Sequence, residues 1–113
     1  MKTLPLAPAD DTCCAPRPKL RAKETAGYTS LLRALSDETR LKMTAMLAAA
    51  DEPICACDLE GSFDLTQPTI SHHLKVLKDA GVVTTEKRGT WVFYEIDRKR
   101  LDALGRLHEV LRG

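Results

Sequence analysis

Residues 65–77 read LTQPTISHHLKVL, a stretch with helical spacing. Ile70, Leu74 and Leu77 recur at positions i, i+4 and i+7, which is the period of the buried face of an α-helix. Pro68 falls in the first turn, where its missing N–H costs no hydrogen bond. The pattern therefore predicts an amphipathic helix with one apolar face and one polar face.

A shorter helix is predicted immediately before this one. Asp58 is a preferred N-cap residue, and the segment runs from it to about Phe63. Two helices joined by a short turn form a helix-turn-helix, whose second helix enters the major groove of DNA. The polar face of the 65–77 helix carries groups suited to base edges and phosphates, although such a face is also typical of a helix that only contacts solvent. The candidate DNA contacts on the helix are Gln67, Thr69, Ser71, His72, His73 and Lys75.

Helices are also predicted on both sides of this unit. Residues 19–35 form the first, and Ser36-Asp37 restarts the chain into a second that reaches about Ala50. The predicted core residues of these two helices are Leu31, Leu32, Leu35, Leu41, Met43, Met46 and Leu47. A last helix over residues 98–112 carries an apolar stripe, which predicts burial against a second subunit. That stripe consists of Leu101, Leu104, Leu107 and Leu111.

Two β-rich segments lie between the 65–77 helix, which Gly81 ends, and the last helix. Residues 82–85 and 91–96 are the predicted strands of a β-hairpin. Lys87 and Arg88 form its basic tip and are two further candidate DNA contacts. The chain is therefore predicted to be mainly α with a small β-hairpin.

The N-terminal segment differs in character from the rest of the chain. Residues 1–18 hold four of the six prolines and lack an apolar period, so they are predicted to form a flexible or extended arm before a domain over 19–113.

A length of 113 residues, 43% apolar and 29% charged, fits one soluble domain with a modest core. No apolar run is long enough to span a bilayer, and we expect a cytoplasmic protein without a membrane partner.

The four cysteines form two dyads, Cys13-Cys14 in the arm and Cys55-Ala56-Cys57 before the helix-turn-helix. Neighbouring Cα atoms lie ~3.8 Å apart, below the usual disulfide range of ~4.4–6.8 Å, and neither dyad is a C-x-x-C redox motif. Ligation of a thiophilic ion is favoured instead. Residues 54–57 are predicted to be extended, which projects both thiols to one side, and an Asp58-capped helix start would favour their thiolate forms.

Three stretches resemble the ArsR–SmtB family of metal-sensing winged helix-turn-helix repressors. They are LSDETRL at 35–41, LTQPTISHHLKVL at 65–77 and AGVV at 80–83, and the resemblance covers about residues 28–112. It implies a homodimer built from the first and last helices. It also implies a wing at residues 87–89 and a palindromic operator in double-stranded DNA.

Residues 54–59, ICACDL, are similar to the family's CVCDL thiolate box. Arsenic-sensing members often have a third cysteine three residues further on, where this chain has Glu60. Other members recruit N-terminal cysteines across the dimer. The resemblance thus implies a repressor released by arsenite or antimonite, with Cys13, Cys14 and either Cys55 or Cys57 as ligands. Three thiolates suit trivalent arsenic or antimony, and four suit cadmium or lead, so a cadmium- or lead-responsive repressor is the alternative.

Three further hypotheses belong to other classes or mechanisms. A thiol redox-sensing repressor would form a disulfide at Cys55 or Cys57 in place of binding an ion. A metal-buffering protein would have no use for the polar face of residues 65–77. An arsenate reductase or thiol oxidoreductase would need a C-x-x-C motif or an anion-binding loop, and the chain has neither, so no enzyme activity is expected.

Overall fold

The computed structural model describes residues 20–113. The predicted arm over 1–18, with Cys13 and Cys14, lies outside the described residues. In chain order the elements are α1 (Ala22–Leu35), α2 (Glu38–Ala49), β1 (Ile54–Cys55), α3 (Ala56–Gly61), α4 (Gln67–Asp79), β2 (Val83–Arg88), β3 (Trp91–Ile96) and α5 (Arg98–Arg112). The fold is mainly helical with a small antiparallel sheet, as predicted.

The break between α1 and α2 lies at the predicted residues. The Asp37 carboxylate accepts a hydrogen bond of 3.0 Å from the backbone N–H of Arg40, which caps the start of α2. That bond is the main reason why the pKa of Asp37 lies below its usual range, and the charges of His73 and Arg40 lower it further.

Helix α4 presents the predicted apolar face to the core. Ile70 and Leu77 are fully buried and Leu74 is nearly so. The face packs on apolar side chains from α1, α2 and α3. These are Leu31, Met43, Leu47 and Leu59. The α3–turn–α4 unit is therefore anchored to the rest of the domain through one continuous core.

The sheet has three antiparallel strands in the order β1-β3-β2. The predicted hairpin is confirmed, with pairing from Val83–Ile96 to Arg88–Trp91. Lys87 and Arg88 are paired residues of β2 and do not form the tip of the hairpin, which lies at Gly89 and Thr90. The pairing of β1 with β3 was not anticipated, and it places Cys55 opposite Phe93.

Some of the predicted apolar stripes are exposed in the chain as described. Leu32 is 46% exposed and Leu41 is 55% exposed, so their assignment to the core was wrong. Both lie on helix sides that face away from the buried cluster. In α5, Ala103 and Leu107 are buried, whereas Leu111 is 74% exposed. Within residues 20–113, no helix combines the length and the apolar character needed to cross a membrane.

Candidate thiol site and nucleic-acid interface

Cys55 and Cys57 lie on either side of the boundary between β1 and α3. Ile54 and Cys55 are extended, as predicted, but helix α3 begins at Ala56 with Cys55 as its N-cap, so the predicted extension to Cys57 and the Asp58 N-cap were wrong. Pairing of β1 with β3 holds Cys55 in extended geometry, and Cys57 follows in the first helical turn. The two sulfur atoms nevertheless lie only 2.7 Å apart. The two thiols therefore lie together, as predicted, although only Cys55 is in extended backbone.

The two thiols differ in accessibility and share one hydrogen bond. Cys55 is 7% exposed, whereas Cys57 is exposed to solvent. The hydrogen bond with Cys55 raises the pKa of Cys57, and desolvation and the Asp58 carboxylate act in the same direction. The pKa of Cys57 is therefore raised, contrary to the expectation that the helix start would favour its thiolate form. A thiophilic ion that binds both sulfurs must displace a proton from each thiol.

The thiols open onto a cavity of about 280 Å³ that residues of β1, α3, α4 and β3 line. Glu60 of α3, Gln67 at the start of α4 and Trp91 at the start of β3 all lie on its wall. The sequence predicted Gln67 to contact DNA and Trp91 to begin a strand, and neither was predicted to lie beside the thiols. Anything held by the two thiols therefore lies next to the beginning of α4, the predicted DNA-reading helix, and next to the hairpin.

The described residues supply two thiol ligands and no complete ion site of their own. Over residues 20–113, no group of three or more His, Cys, Asp or Glu side chains is placed to hold a metal ion. Cys13 and Cys14, the other predicted ligands, lie outside this part of the chain. Two neighbouring thiols suit a thiophilic ion, but they are fewer than the three or four donors that such an ion takes.

Most of the candidate DNA contacts on α4 form one exposed surface. The exposed residues are Gln67, Thr69, Ser71, His72 and Lys75. The surface is held in place by local bonds: Lys75 Nζ lies 2.9 Å from Asp79 Oδ2, and the hydroxyls of Thr66 and Thr69 are 2.9 Å apart. Because α4 is buried on its opposite side, this polar surface is free to approach a groove.

His73 is the exception among these candidates. Its side chain is 13% exposed, and its Nδ1 lies 3.2 Å from Arg40 Nη1 and 3.9 Å from the Asp37 carboxylate. The ring thus joins α4 to the start of α2 and does not share the exposed surface. Its position three residues after Ile70, on the apolar side of the helix, is the sequence signal that could have excluded it.

The hairpin carries the two remaining candidates. Lys87 is exposed near the end of β2. The Arg88 guanidinium lies 4.4 Å from the centre of the Phe93 ring and 3.3 Å from the Glu86 carboxylate, so its direction is restrained before any DNA is present.

Comparison with known proteins identifies the family. Residues 37–85, from the cap of α2 into β2, match the family described as "Bacterial regulatory protein, arsR family". An arsenical resistance operon repressor of Staphylococcus xylosus is 36% identical over 83 residues, which cover 74% of this chain and 78% of that protein. The chain belongs to the ArsR family. An arsenical resistance operon repressor of Bacillus subtilis is likewise 36% identical over 77 residues, covering 68% of this chain and 72% of its own length.

Other relatives extend this ArsR-family assignment. The cadmium resistance transcriptional regulatory protein CadC of Listeria innocua is 41% identical over 78 residues, which cover 69% of this chain and 65% of that protein. A solved ArsR-like transcriptional regulator from Rhodococcus sp. RHA1 superposes with a TM-score of 0.71 at 26% identity, covering 81% of this chain and 83% of the other. The family and these relatives are transcriptional regulators and not enzymes. The protein is a winged helix-turn-helix DNA-binding repressor in which β2 and β3 form the wing.

Proposed function

We propose that this ArsR-family protein is a homodimeric repressor that arsenite or antimonite releases from operator DNA by binding to cysteine thiolates. One observation carries the proposal. The Cys55 and Cys57 sulfurs lie 2.7 Å apart and open onto a cavity that Gln67 of the DNA-reading helix also lines. We place this activity in the cytoplasm, where thiols stay reduced.

The ligand set is inferred from accessibility and from ligand number. Cys57 is exposed, so an ion can reach it directly, and the buried Cys55 lies within bonding reach of the same ion. Trivalent arsenic takes three thiolates. Because the described part of the chain has no third thiol, Cys13 or Cys14 of the partner subunit supplies the third in this proposal. The names of the Staphylococcus xylosus and Bacillus subtilis relatives support arsenical resistance as the setting.

The dimer is inferred from apolar surface that the single chain leaves uncovered. Leu32 on α1 is 46% exposed and Leu111 on α5 is 74% exposed. Exposed leucines on two helices stabilise a protein only when another surface covers them. A second copy would bury both, and the two α4 helices would then occupy successive major grooves about one turn apart, with the wings beside them.

Release follows from the position of the thiols beside the start of α4. An ion that draws α3 and the partner's arm together shifts the wall of the cavity on which Gln67 and Trp91 lie. A coupling of ~1–3 kcal/mol would weaken operator binding by a factor of ~5–150. By reciprocity, operator DNA weakens the binding of arsenite by the same factor.

Fluorescence anisotropy of a labelled duplex from the protein's own promoter tests the proposal. Arsenite is titrated into complexes of wild type, Cys57→Ser, Cys55→Ser and the double variant Cys13→Ser/Cys14→Ser. Ser62→Ala is the matched control, because its hydroxyl bonds the Asp58 carbonyl on the same helix and does not line the cavity.

We expect arsenite to release wild type and Ser62→Ala at the same concentration, and to leave the three cysteine variants bound. Release of Cys57→Ser or of Cys13→Ser/Cys14→Ser at the wild-type concentration would overturn the proposed ligand set. A wild-type protein that never binds its promoter would overturn the repressor itself.

Cadmium or lead is the second candidate inducer. Glu60 lines the cavity beside the thiols, where its negative charge would attract a divalent cation, and the Listeria innocua relative is named for cadmium resistance. If this candidate is correct, cadmium releases the operator at concentrations where arsenite does not, and Glu60→Gln weakens that release. Release by an oxidant without any ion, reversed by dithiothreitol, would instead support the redox mechanism.

A further inference from the structure

Arg100 on α5 joins three helices through its side chain. Its Nε donates a 2.9 Å hydrogen bond to the carbonyl of Ala80, which caps the C-terminus of α4. Its Nη2 donates a 2.9 Å hydrogen bond to the carbonyl of Gly27 in α1, a residue 73 positions away in the chain. The Asp97 carboxylate accepts from the Arg100 backbone N–H and fixes the start of α5.

The end of α4 is built to receive this side chain. The backbone N–H groups of Gly81 and Val82 donate to the carbonyls of Lys78 and Leu77, at 3.0 and 2.9 Å, as in a Schellman motif. The Ala80 carbonyl takes its bond from Arg100, whose positive charge also complements the negative end of the helix dipole. Gly81 has no Cβ, and one placed there would lie 3.5 Å from Arg100 Nε, so the side chain passes directly over this residue.

The Arg100 guanidinium fixes the separation of the two carbonyls that it binds, those of Ala80 and Gly27. It is planar, and its N–H groups point in set directions, so two carbonyls bound by the same group are held at one separation. The end of the DNA-reading helix is thereby tied to α1 and to α5 at once. A lysine in the same place would have one mobile ammonium and could not hold both carbonyls in one plane.

We propose that Arg100 is a positioning residue that sets the separation of the two DNA-reading helices in the dimer, and with it the half-site spacing that the repressor accepts. This inference rests on the proposed function, in which α1 and α5 meet the second copy while α4 enters the groove. A rigid tie from α4 to both of those helices transmits the geometry of the subunit interface to the DNA-reading surface. Loss of the tie lets each α4 shift relative to its partner.

Half-site spacing is a sensitive readout of this geometry. One inserted base pair moves a half-site by about 3.4 Å along the DNA and turns it by about 35°, because about 10–10.5 base pairs make one turn of 34–36 Å. A dimer with fixed helices must bind the altered duplex much more weakly than the native one. A dimer whose helices can shift loses that preference.

The test compares two duplexes on four proteins. The native duplex is one that wild type selects from randomised DNA, and the second carries one extra central base pair. Wild type, Arg100→Gln, Arg100→Lys and Arg98→Gln are titrated with each duplex by fluorescence anisotropy. Arg98→Gln is the matched control, since Arg98 lies on the same helix and donates 3.1 Å to a carbonyl, but to that of Ala48 on α2.

We expect Arg100→Gln to bind the native duplex about tenfold more weakly, which corresponds to about 1.4 kcal/mol. We also expect its ratio of the two dissociation constants to fall at least fivefold below the wild-type ratio. Arg98→Gln keeps the wild-type ratio. The ratio for Arg100→Lys lies between those of wild type and Arg100→Gln. The ratio is unaffected by the fraction of folded protein, and if Arg100→Gln does not fold, Arg100→Lys decides.

The outcomes separate this inference from the proposed function. If wild type prefers the native spacing and the Arg100 variants prefer it equally, the positioning role is overturned while the repressor stands. An equal loss of preference in Arg98→Gln also overturns it, because the effect would then not be specific to α4. If wild type selects no duplex at all, the repressor itself fails.

Discussion

Gly81 determines how the DNA-reading helix ends, and its replacement gives a sharp prediction. Its φ of +80° lies in the left-handed region, which an L residue with a Cβ enters at a cost of roughly 1–2 kcal/mol. A Cβ at this position would meet the Arg100 side chain at 3.5–3.7 Å, an ordinary van der Waals distance, so no steric clash adds to that cost. We therefore expect Gly81→Ala to lower the free energy of unfolding by about 1–2 kcal/mol.

Gly105→Ala is the matched control, because it makes the same chemical change inside α5 with nothing within 4 Å of the new Cβ. Alanine is more favourable than glycine in a helix interior by about 0.8–1 kcal/mol, so this variant gains stability. Urea denaturation followed by circular dichroism measures both, at one protein concentration because the proposed dimer would make stability depend on concentration. A Gly81→Ala protein as stable as wild type, or two variants that shift in the same direction, would refute the reasoning.

Three other predictions concern the core, pH and salt. Leu74→Ala removes a side chain that is 2% exposed and should cost about 2–5 kcal/mol in urea denaturation, whereas Leu65→Ala, at 42% exposed, should cost less than about 1 kcal/mol; equal losses would contradict the packing of α4. The pKa of Asp37 is lowered in the fold, so its stabilisation is present above the unfolded pKa of about 3.9 and is lost as pH falls through the folded value. Wild type should therefore lose more stability than Asp37→Asn between about pH 5 and pH 2, and parallel curves would rule this out. Lys87→Ala should reduce the slope of log affinity for the operator against log salt by about 1, and an unchanged slope would remove Lys87 from the phosphate contacts.

Local sequence signals were sufficient for the elements that carry the DNA-reading surface. The i, i+4, i+7 spacing of Ile70, Leu74 and Leu77 identified the buried face of α4, which the structure confirms. Ser36-Asp37 identified the break between α1 and α2, since the cap depends on a carboxylate only three residues from its donor. Such features depend on neighbours in the chain, so a single sequence contains them.

The features that were missed depend on contacts between distant parts of the chain. The extended backbone of Cys55 was predicted, but the pairing of β1 with β3, nearly 40 residues later, and the start of α3 at Ala56 were not. The helical period already places His73 on the apolar side of α4, but its partner Arg40, 33 positions away, does not appear in that period. The raised pKa of Cys57 follows from the hydrogen bond that this unforeseen helix start creates. No local period or cap contains these contacts.

X-ray absorption at the arsenic edge tests most directly the claim that the thiol pair beside α4 is the inducer site. We predict three sulfur neighbours for arsenite bound to wild type, no bound arsenic with three sulfurs in Cys55→Ser/Cys57→Ser, and a lower sulfur count in Cys13→Ser/Cys14→Ser. Ser62→Ala should reproduce the wild-type spectrum. A wild-type spectrum without sulfur neighbours, or a three-sulfur site that persists when both Cys55 and Cys57 are replaced, would contradict the account.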